Sequence, residues 1–324
     1  MLLPRYTRQP LIPDPGFVLY IDTRRLVLLT IFIQQLVNGL SLGSIYALIA
    51  LGYTMVYGIV KLINFAHGEI LMVGAYTAYY VLRTVGASPL GLALAFAAAM
   101  IACGITGITI ERFAYRPLRS SPRLNSLITA IAMSLILQNG VRVLPFAGPN
   151  PRQFPTMDTI MVPFGAVSVS NIQIIVITVS IVLMLILNYI INWTKTGKAM
   201  RAVSFDMQAA SLMGISVNRI IAFTFALGSV LAAAGGILYA TAYPQIEPTM
   251  GAMPGLKAFV AAVLGGIGSV PGAMLGGYIL GVAETMTKGF LSSQFADAIS
   301  FSILILILLV KPTGIMGQKT RVKV

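Results

Sequence analysis

The sequence predicts an all-α membrane protein, a polytopic helix bundle of about eight to ten transmembrane segments with short or re-entrant pieces. Composition is the first observation that supports this class. Of the 324 residues, 57% are hydrophobic and only 10% are charged, and the mean hydropathy is +0.88. A soluble domain has roughly 25% charged residues, so this chain has too few charges to cover a surface that faces water.

Long apolar runs are the second observation, because one membrane crossing needs about 20 consecutive apolar residues. The runs cover residues 26–60, 70–82, 90–110, 124–144, 172–191, 220–243, 255–282 and 299–310. Polar and glycine residues at 38–43 interrupt the first run, and the glycine-rich stretch 265–272 interrupts the seventh. We therefore expect each of these two runs to cross twice, or to combine one crossing with a re-entrant piece.

Basic residues beside these runs are the third observation. The net charge is +13, and most of the 22 Lys and Arg residues border an apolar run. They fall into four blocks: Arg5, Arg8, Arg24 and Arg25; Arg112, Arg116, Arg119 and Arg123; Lys195, Lys198, Arg201 and Arg219; and Lys311, Lys319, Arg321 and Lys323. Such blocks are typical of cytoplasmic loops. Nucleic-acid binding is not indicated, because no groove pattern of basic and aromatic residues accompanies them.

The charge distribution also predicts the domain organisation. A flexible, proline-rich extension (1–25), a transmembrane domain (26–317) and a tail (318–324) follow one another, with both ends in the cytoplasm. The segments near residue 88, at 146–170 and at 244–254 contain few cations and are expected outside. The loop 146–170 is expected to contain a short hairpin or an interfacial helix.

A short helix is predicted within the cytoplasmic loop 193–217. Asp206 or Ser204 can cap its first turn, and Gly214 can end it. Ser216 can then cap the following span. The apolar face of this helix is formed by Ala209, Ala210 and Met213. A short exposed helix of this kind suits docking into a groove of a soluble partner, and the alternative is an amphipathic helix on the membrane surface.

Several polar residues within or beside the apolar runs are candidates for a translocation path or a gate: Asn64, His67, Glu69, Lys257 and Glu284. Ionisable groups at membrane depth are costly, so they usually serve a pathway or pair with one another. Lys61 is close enough in sequence to pair with Glu69, and Lys257 can pair with Glu284. The alternative for His67 and Glu69 is an interfacial cluster that fixes the start of a helix.

No enzyme, cofactor or metal site is indicated. His67 is the only histidine, and a single histidine cannot make a plausible metal site. The chain contains no phosphate-binding GxxxxGK[ST] loop, so it does not bind ATP in that way. We therefore expect neither a cofactor nor an enzymatic activity of its own.

Glycines spaced four apart in the apolar runs are predicted helix-packing positions: Gly39 and Gly43, Gly272 and Gly276, and Gly277 and Gly281. Small faces of this kind let helix backbones approach closely in lipid. These glycine faces either pack the helices statically or, as the functional alternative, line the pathway and let the helices slide past one another during transport.

Three parts of the sequence resemble one known family. They are NGLSLGSIYALIALGYTMVYG at 38–58 with INFAHGE at 63–69, the pattern of Glu111-Arg112, Tyr115-Arg116-Pro117 and Arg119-Ser120, and KAFVAAVLGGIGSVPGA at 257–273. Together they resemble the permease family for high-affinity branched-chain amino-acid uptake. The resemblance covers about 30–317, nearly the whole chain, and favours the first of the two permease subunits of that system.

The resemblance implies a multi-pass permease subunit of an ABC importer in the bacterial inner membrane, surrounded by lipids. It implies a second permease, two ATP-binding subunits and a periplasmic substrate-binding protein as partners. It places 198–214 at the family's coupling loop, which favours docking to an ATP-binding subunit. The expected mechanism is alternating access for branched-chain or related amino acids. Import of urea, short amides or other amino acids by the same machinery is one alternative, and an ion-coupled secondary carrier is another.

Overall fold

The computed structural model describes residues 15–119, 121–165 and 167–317. The predicted tail and residues 1–14 of the predicted extension lie outside this part of the chain. The helices are α1 (Pro15–Val60), α2 (His67–Val85), α3 (Pro89–Ile110), α4 (Arg123–Val143), α5 (Asn171–Trp193), α6 (Lys195–Phe205), α7 (Met207–Leu212), α8 (Val217–Ala242), α9 (Ala252–Gly265), α10 (Val270–Phe290) and α11 (Phe295–Val310). A π-helical turn (Glu111–Tyr115) and a 3-10 turn (Arg116–Leu118) follow α3. The short strands are β1 (Arg152–Gln153), β2 (Met161–Phe164), β3 (Val167–Ser170) and β4 (Gln245–Ile246).

The fold is helical and suited to a membrane, as predicted. Five helices are long and apolar enough to cross a bilayer: α1, α4, α5, α8 and the segment that begins with α3. The shorter helices α9 and α11 are also apolar. With 19 and 21 residues, α2 and α10 have the length of a span but carry ionisable residues. Together these helices make nine bundle segments in the described part of the chain. This number lies within the predicted range of about eight to ten.

The first helix is unbroken, contrary to the prediction for 38–43. α1 has 46 residues and is therefore about 69 Å long. Gly39 and Gly43 are accommodated because they lie against α10, and the Asn38 amide is satisfied by Gln173 of α5, whose Nε2 donates to Oδ1 at 2.8 Å. Because α1 crosses only once, Arg25 lies at the end of the bundle opposite Val60. Arg25 therefore lies away from the basic blocks at the other end, and the prediction that it lies on their side is wrong.

The centre of the bundle consists of α1, α2, α8, α9 and α10, which pack on one another. Their contact surfaces are rich in buried alanine and glycine, and this lets the backbones approach closely. The peripheral helices α4 and α11 instead expose large apolar side chains such as Ile128, Ile136 and Leu306. Exposed apolar faces of this extent suit contact with lipid.

Two loops meet at one end of the bundle, which we call the hairpin end. β2 and β3 form an antiparallel hairpin in which Phe164 pairs with Val167, confirming the hairpin predicted within 146–170. β1 pairs with β4, so that Gln153 lies opposite Gln245. The loops before α5 and before α9 therefore lie on the same side, as the sparse cations predicted.

The opposite end, which we call the basic end, carries the loops after α3 and after α5. Arg119 donates a hydrogen bond to Oδ1 of Asn218 at 2.6 Å, which joins the loop after α3 to the first turn of α8. The predicted break in the seventh apolar run is confirmed, because α9 ends at Gly265 and α10 begins at Val270. The backbone N–H of Ile315 donates to the Leu264 carbonyl at 2.9 Å, which fixes the chain after α11 beside this turn.

Candidate functional site

The predicted glycines of α1 lie against those of α10. A Cβ added at Gly281 would collide with the backbone of Gly43, and one added at Gly277 would collide with Ala47. A Cβ at Gly39 would lie 2.7 Å from the Cα of residue 282 on α10. The two helices therefore touch through their backbones over two turns, and residues with side chains would separate them.

The other face of α10 packs against α9 in the same manner. A Cβ at Gly272 would meet the carbonyl of Gly265, and a Cβ at Gly276 would meet the carbonyl of Ala261. Each of the two predicted glycine pairs on α10 thus serves a different neighbouring helix. Spacing along the sequence did not show which neighbour belongs to which pair.

A charge cluster joins α9, α10 and α11 near the hairpin end. Nζ of Lys257 lies 2.9 Å from Oε1 of Glu284 and 2.7 Å from Oδ1 of Asp297. Nζ of Lys288 lies 2.7 Å from the same Glu284 oxygen. Tyr46 of α1 donates a hydrogen bond to Oε2 of Glu284 at 2.9 Å. Two cations thus balance two carboxylates, which lowers the cost of keeping Glu284 and Lys257 buried.

Sequence reasoning anticipated only part of this cluster. The Lys257–Glu284 pair forms, but Asp297, Lys288 and Tyr46 were not singled out. The spacing of Glu284 and Lys288, four residues apart on one helix, could have revealed Lys288. Asp297 lies on another helix, so no local spacing connects it to Lys257.

Asn64 shapes the turn between α1 and α2 at the basic end. Its buried Oδ1 accepts hydrogen bonds from the backbone N–H of Ala66 and from the hydroxyl of Tyr115, each at 3.1 Å. These bonds join the start of α2 to the segment after α3. Asn64 therefore holds the start of α2 in place against the segment after α3.

His67 and Glu69 begin α2 but face different neighbours. The His67 ring packs against Tyr53 of α1, with ring centroids 4.6 Å apart, and its Nε2 has no hydrogen-bond partner among the described residues. Glu69 accepts a hydrogen bond from Ser134 of α4 at 3.3 Å. With Ser134 and Phe259, Glu69 lines a cavity of about 260 Å³. These two residues and the Lys257 cluster therefore do not form one site.

The predicted pairing of Lys61 with Glu69 is wrong. Lys61 follows α1 with a φ of 56°, and its Nζ lies 5.8 Å from the centre of the Tyr57 ring. Glu69 lies inside the first turn of α2 and points towards α4. The change in chain direction at Lys61 separates the two side chains, although only eight positions separate them in the sequence.

A cavity of about 710 Å³ opens at the hairpin end between α1, α5, α10 and the hairpin. Its lining is rich in amide and hydroxyl groups: Gln34, Gln35, Asn38, Ser41, Ser170, Gln173, Thr241 and Thr285. A second cavity of about 130 Å³ contains the Lys257 cluster and is lined by Tyr46, Tyr239, Tyr243, Lys257, Glu284 and Lys288. The sequence indicated a helix break at 38–43, whereas these polar side chains line a cavity beside an intact helix.

The loop between α5 and α8 contains two helices, with Asp206 at the junction. The Asp206 carboxylate accepts hydrogen bonds from the backbone N–H groups of Gln208 and Ala209 at 2.8 and 3.0 Å, so it caps α7. Gly214 follows α7 with a φ of 81°, a conformation that glycine adopts at little cost. The predicted cap at Asp206 and the predicted end at Gly214 are both confirmed.

Two serines in this loop do not act as predicted. Ser204 lies within α6, and its hydroxyl donates to the carbonyl of Arg201 at 2.8 Å, so it does not cap α7. Ser216 precedes α8, but its side chain makes no capping bond. Ser204 is not at a cap position because α6 continues to Phe205, whereas α8 begins directly after Ser216, as predicted, without a capping bond from its side chain.

Large apolar side chains are exposed at the two ends of α7. Phe205, Leu212 and Met213 are 90%, 89% and 83% exposed, respectively. Ala209 is also exposed, whereas Ala210 is only 4% exposed and packs on the protein's own core. Ala210 is therefore wrongly assigned to the docking face. We call Phe205, Ala209, Leu212 and Met213 the corner patch.

Comparison with known proteins decides the family. The family described as "Branched-chain amino acid transport system / permease component" matches residues 35–308. The chain belongs to this permease family. The high-affinity branched-chain amino acid transport system permease protein LivH of Salmonella typhimurium is 46% identical over 297 residues, which cover 89% of this chain and 96% of LivH. The corresponding protein BraD of Pseudomonas aeruginosa has the same identity and coverage.

More distant permeases extend the family relationship. The ribose import permease protein RbsC of Escherichia coli is 28% identical over 257 residues, covering 77% of this chain and 76% of RbsC. No solved structure matches the chain. As a member of the family, the permease is a multi-pass membrane protein of an ABC importer and is not itself an enzyme, as predicted. Its basic end has the charge expected of a cytoplasmic face, and this orientation stays a prediction.

Proposed function

We propose that this permease moves branched-chain amino acids across the membrane together with a second permease subunit. Two ATP-binding subunits supply the energy, and a periplasmic binding protein delivers the solute. The relatives LivH and BraD are named as permeases of high-affinity branched-chain amino acid transport systems. Similarity over nearly the whole chain supports the same solute class for this protein.

The corner patch is the observation that carries the proposed coupling. Three large apolar side chains are exposed at the basic end, at the two ends of the short helix α7. An apolar patch in water is typical of a surface that binds a partner. The sequence has no phosphate-binding loop of its own, so we assign the patch to docking of an ATP-binding subunit. Ala209, Asp206 and Gly214 support this surface.

The attachment of α6 explains how docking would move the bundle. Met200 and Val203 of α6 are buried, and Arg201 donates a hydrogen bond to the carbonyl of Ile191 in α5. A displacement of the corner patch would therefore reach α5 and α8 through packed contacts. The glycine contacts of α1 with α10 let these helices shift without moving bulky side chains, which alternating access requires.

The polar cavity at the hairpin end is the proposed entrance of the translocation path. Amide and hydroxyl groups can replace water around a zwitterionic solute, whereas the surrounding bundle is apolar. We propose that Lys257 and Glu284, in the adjacent cluster, act as a gate between α9 and α10. His67 and Glu69 lie deeper, towards the basic end, and remain candidates for later contacts along the path. Asn64 would act there by positioning the turn before α2.

Replacing Phe205 and Leu212 with serine tests the docking proposal. The double variant should reach the membrane, but an affinity-tagged variant should retain less of the ATP-binding subunit on purification, and leucine uptake should fall at least about tenfold. Phe113→Ser is the matched control, because Phe113 is 74% exposed but lies outside the corner patch. Unchanged retention and uptake in the double variant would remove the basis of the proposal.

The solute class and energy source need a separate experiment. The complete transporter, reconstituted in liposomes, should take up leucine, isoleucine and valine only with ATP and the binding protein, and urea or short amides should not compete. Uptake by the permease alone under an ion gradient would instead establish a secondary carrier.

A further inference from the structure

The polar cavity at the hairpin end contains a single type of charge. Among the described residues that line this cavity of about 710 Å³, Lys288 is the one whose side chain is charged at neutral pH. The other polar groups are amides and hydroxyls, which are neutral. A solute that enters the cavity therefore meets one fixed positive charge in an otherwise uncharged polar lining.

Lys288 stands at the junction of two cavities. It also lines the smaller cavity of about 130 Å³ that contains Lys257 and Glu284. The Lys288 side chain is 37% exposed, whereas that of Lys257 is 9% exposed and that of Glu284 only 2%. The ammonium group of Lys288 is therefore the accessible cation of the cluster.

The hydrogen bonds within the cluster allow Lys288 to change partner. Glu284 Oε1 accepts from both lysines, and Glu284 Oε2 accepts from Tyr46. If Lys288 turns into the large cavity, Glu284 keeps Lys257 and Tyr46 as partners. Movement of Lys257 would instead leave Asp297 without the ion pair shown here. Separating a buried charge from its partners is costly, and Lys257 is the more buried lysine and has two carboxylate partners. Lys288 is therefore the cation that can move at the smallest cost.

We propose that Lys288 binds the α-carboxylate of the transported amino acid in the polar cavity. This inference rests on the proposed function and adds a named contact for the solute. The Lys288 ammonium exchanges Glu284 for the solute carboxylate, which is chemically similar, so the number of charge-assisted hydrogen bonds is preserved. Solutes without a carboxylate cannot make this exchange, and the cavity thereby discriminates against simple amines and amides.

Photolabelling of the complete transporter tests this contact. The probe is a diazirine analogue of leucine that keeps both the carboxylate and the ammonium group, and the comparison probe is the same amine without the carboxylate. In the wild type, the first probe should label peptides that line the large cavity, and the second should label them much less. In Lys288→Met, labelling by the first probe should fall about tenfold, the size expected for one charge-assisted hydrogen bond. Lys288→Arg should retain most of it.

Controls separate this contact from a structural role of Lys288. Arg83→Met removes an exposed cation elsewhere at the hairpin end and should label as the wild type does. Lys288→Gln serves as a second neutral variant if the methionine variant assembles poorly. Equal labelling by both probes, or full labelling of both neutral variants, would overturn the inference. Leucine uptake by the wild-type preparation is measured in parallel, because its absence would contradict the proposed function itself.

Discussion

Lys257 of α9 and Glu284 of α10 form an ion pair inside the bundle, with Nζ 2.9 Å from Oε1. Glu284 also accepts from Lys288 and Tyr46, whereas Lys257 has Asp297 as its second partner. The Glu284 carboxylate thus accepts from three donors: Lys257 of α9, Tyr46 of α1 and Lys288 of its own helix. This asymmetry predicts unequal effects when either partner is removed.

Replacing Glu284 should destabilise the permease more than replacing Lys257. Glu284→Leu strands the buried ammonium of Lys257 beside a half-exposed Asp297 and removes the partner of Tyr46, so we expect a loss of about 3 kcal/mol. Lys257→Met leaves Glu284 with Lys288 and Tyr46 and should cost less. The free energy of unfolding in mixed micelles measures both changes. Asp297→Asn is the control, and a larger loss for Lys257→Met than for Glu284→Leu would contradict this account.

Replacing Gly281 with alanine should disturb the contact between α1 and α10. The added methyl group would collide with the backbone of Gly43, and a backbone cannot turn aside as a flexible side chain does. We expect a loss of stability of about 1–3 kcal/mol and slower leucine uptake. Gly140→Ala is the matched control in α4, where an added Cβ meets nothing within 4 Å; it should be neutral or slightly stabilising. Equal behaviour of the two variants would argue against the close contact.

Replacing Asp206 with alanine should weaken coupling without affecting insertion. The Asp206 carboxylate accepts from two backbone N–H groups at the start of α7, and losing such a cap costs about 1 kcal/mol. The ATPase activity of the complete transporter should then depend less on the binding protein. Asp206→Asn keeps a capping oxygen and should behave close to the wild type. An alanine variant with unchanged stimulation would show that the cap is dispensable.

Replacing Asn64 with alanine should loosen the start of α2. The change leaves the Ala66 N–H and the Tyr115 hydroxyl without the oxygen that they share, at an expected cost of about 2 kcal/mol. Asn64→Asp keeps an acceptor and should be tolerated better. Tyr115→Phe removes only one of the two donors, so its effect should lie between those of Asn64→Ala and Asn64→Asp. Hydrogen exchange at the first turn of α2 reports the effect, and equal protection in all variants would disprove it.

Several features of this permease could be predicted from local sequence alone. Composition and apolar runs predict the class, because a bilayer selects helices by length and hydrophobicity. The break at 265–272, the cap at Asp206 and the end at Gly214 depend on residues within one turn. The family pattern is likewise carried by the order of residues along the chain.

Only the tertiary structure decided which distant groups meet. Lys257 pairs with Asp297, and Ala210 is buried while Phe205 is exposed. The apolar run that is interrupted around Asn38 forms one continuous helix beside a polar cavity. Each outcome depends on the faces that neighbouring helices present, and spacing within one helix does not contain that information. The physical reason is that burial and pairing in a membrane bundle are set by helix-to-helix contact, whereas helix formation is set by the segment itself.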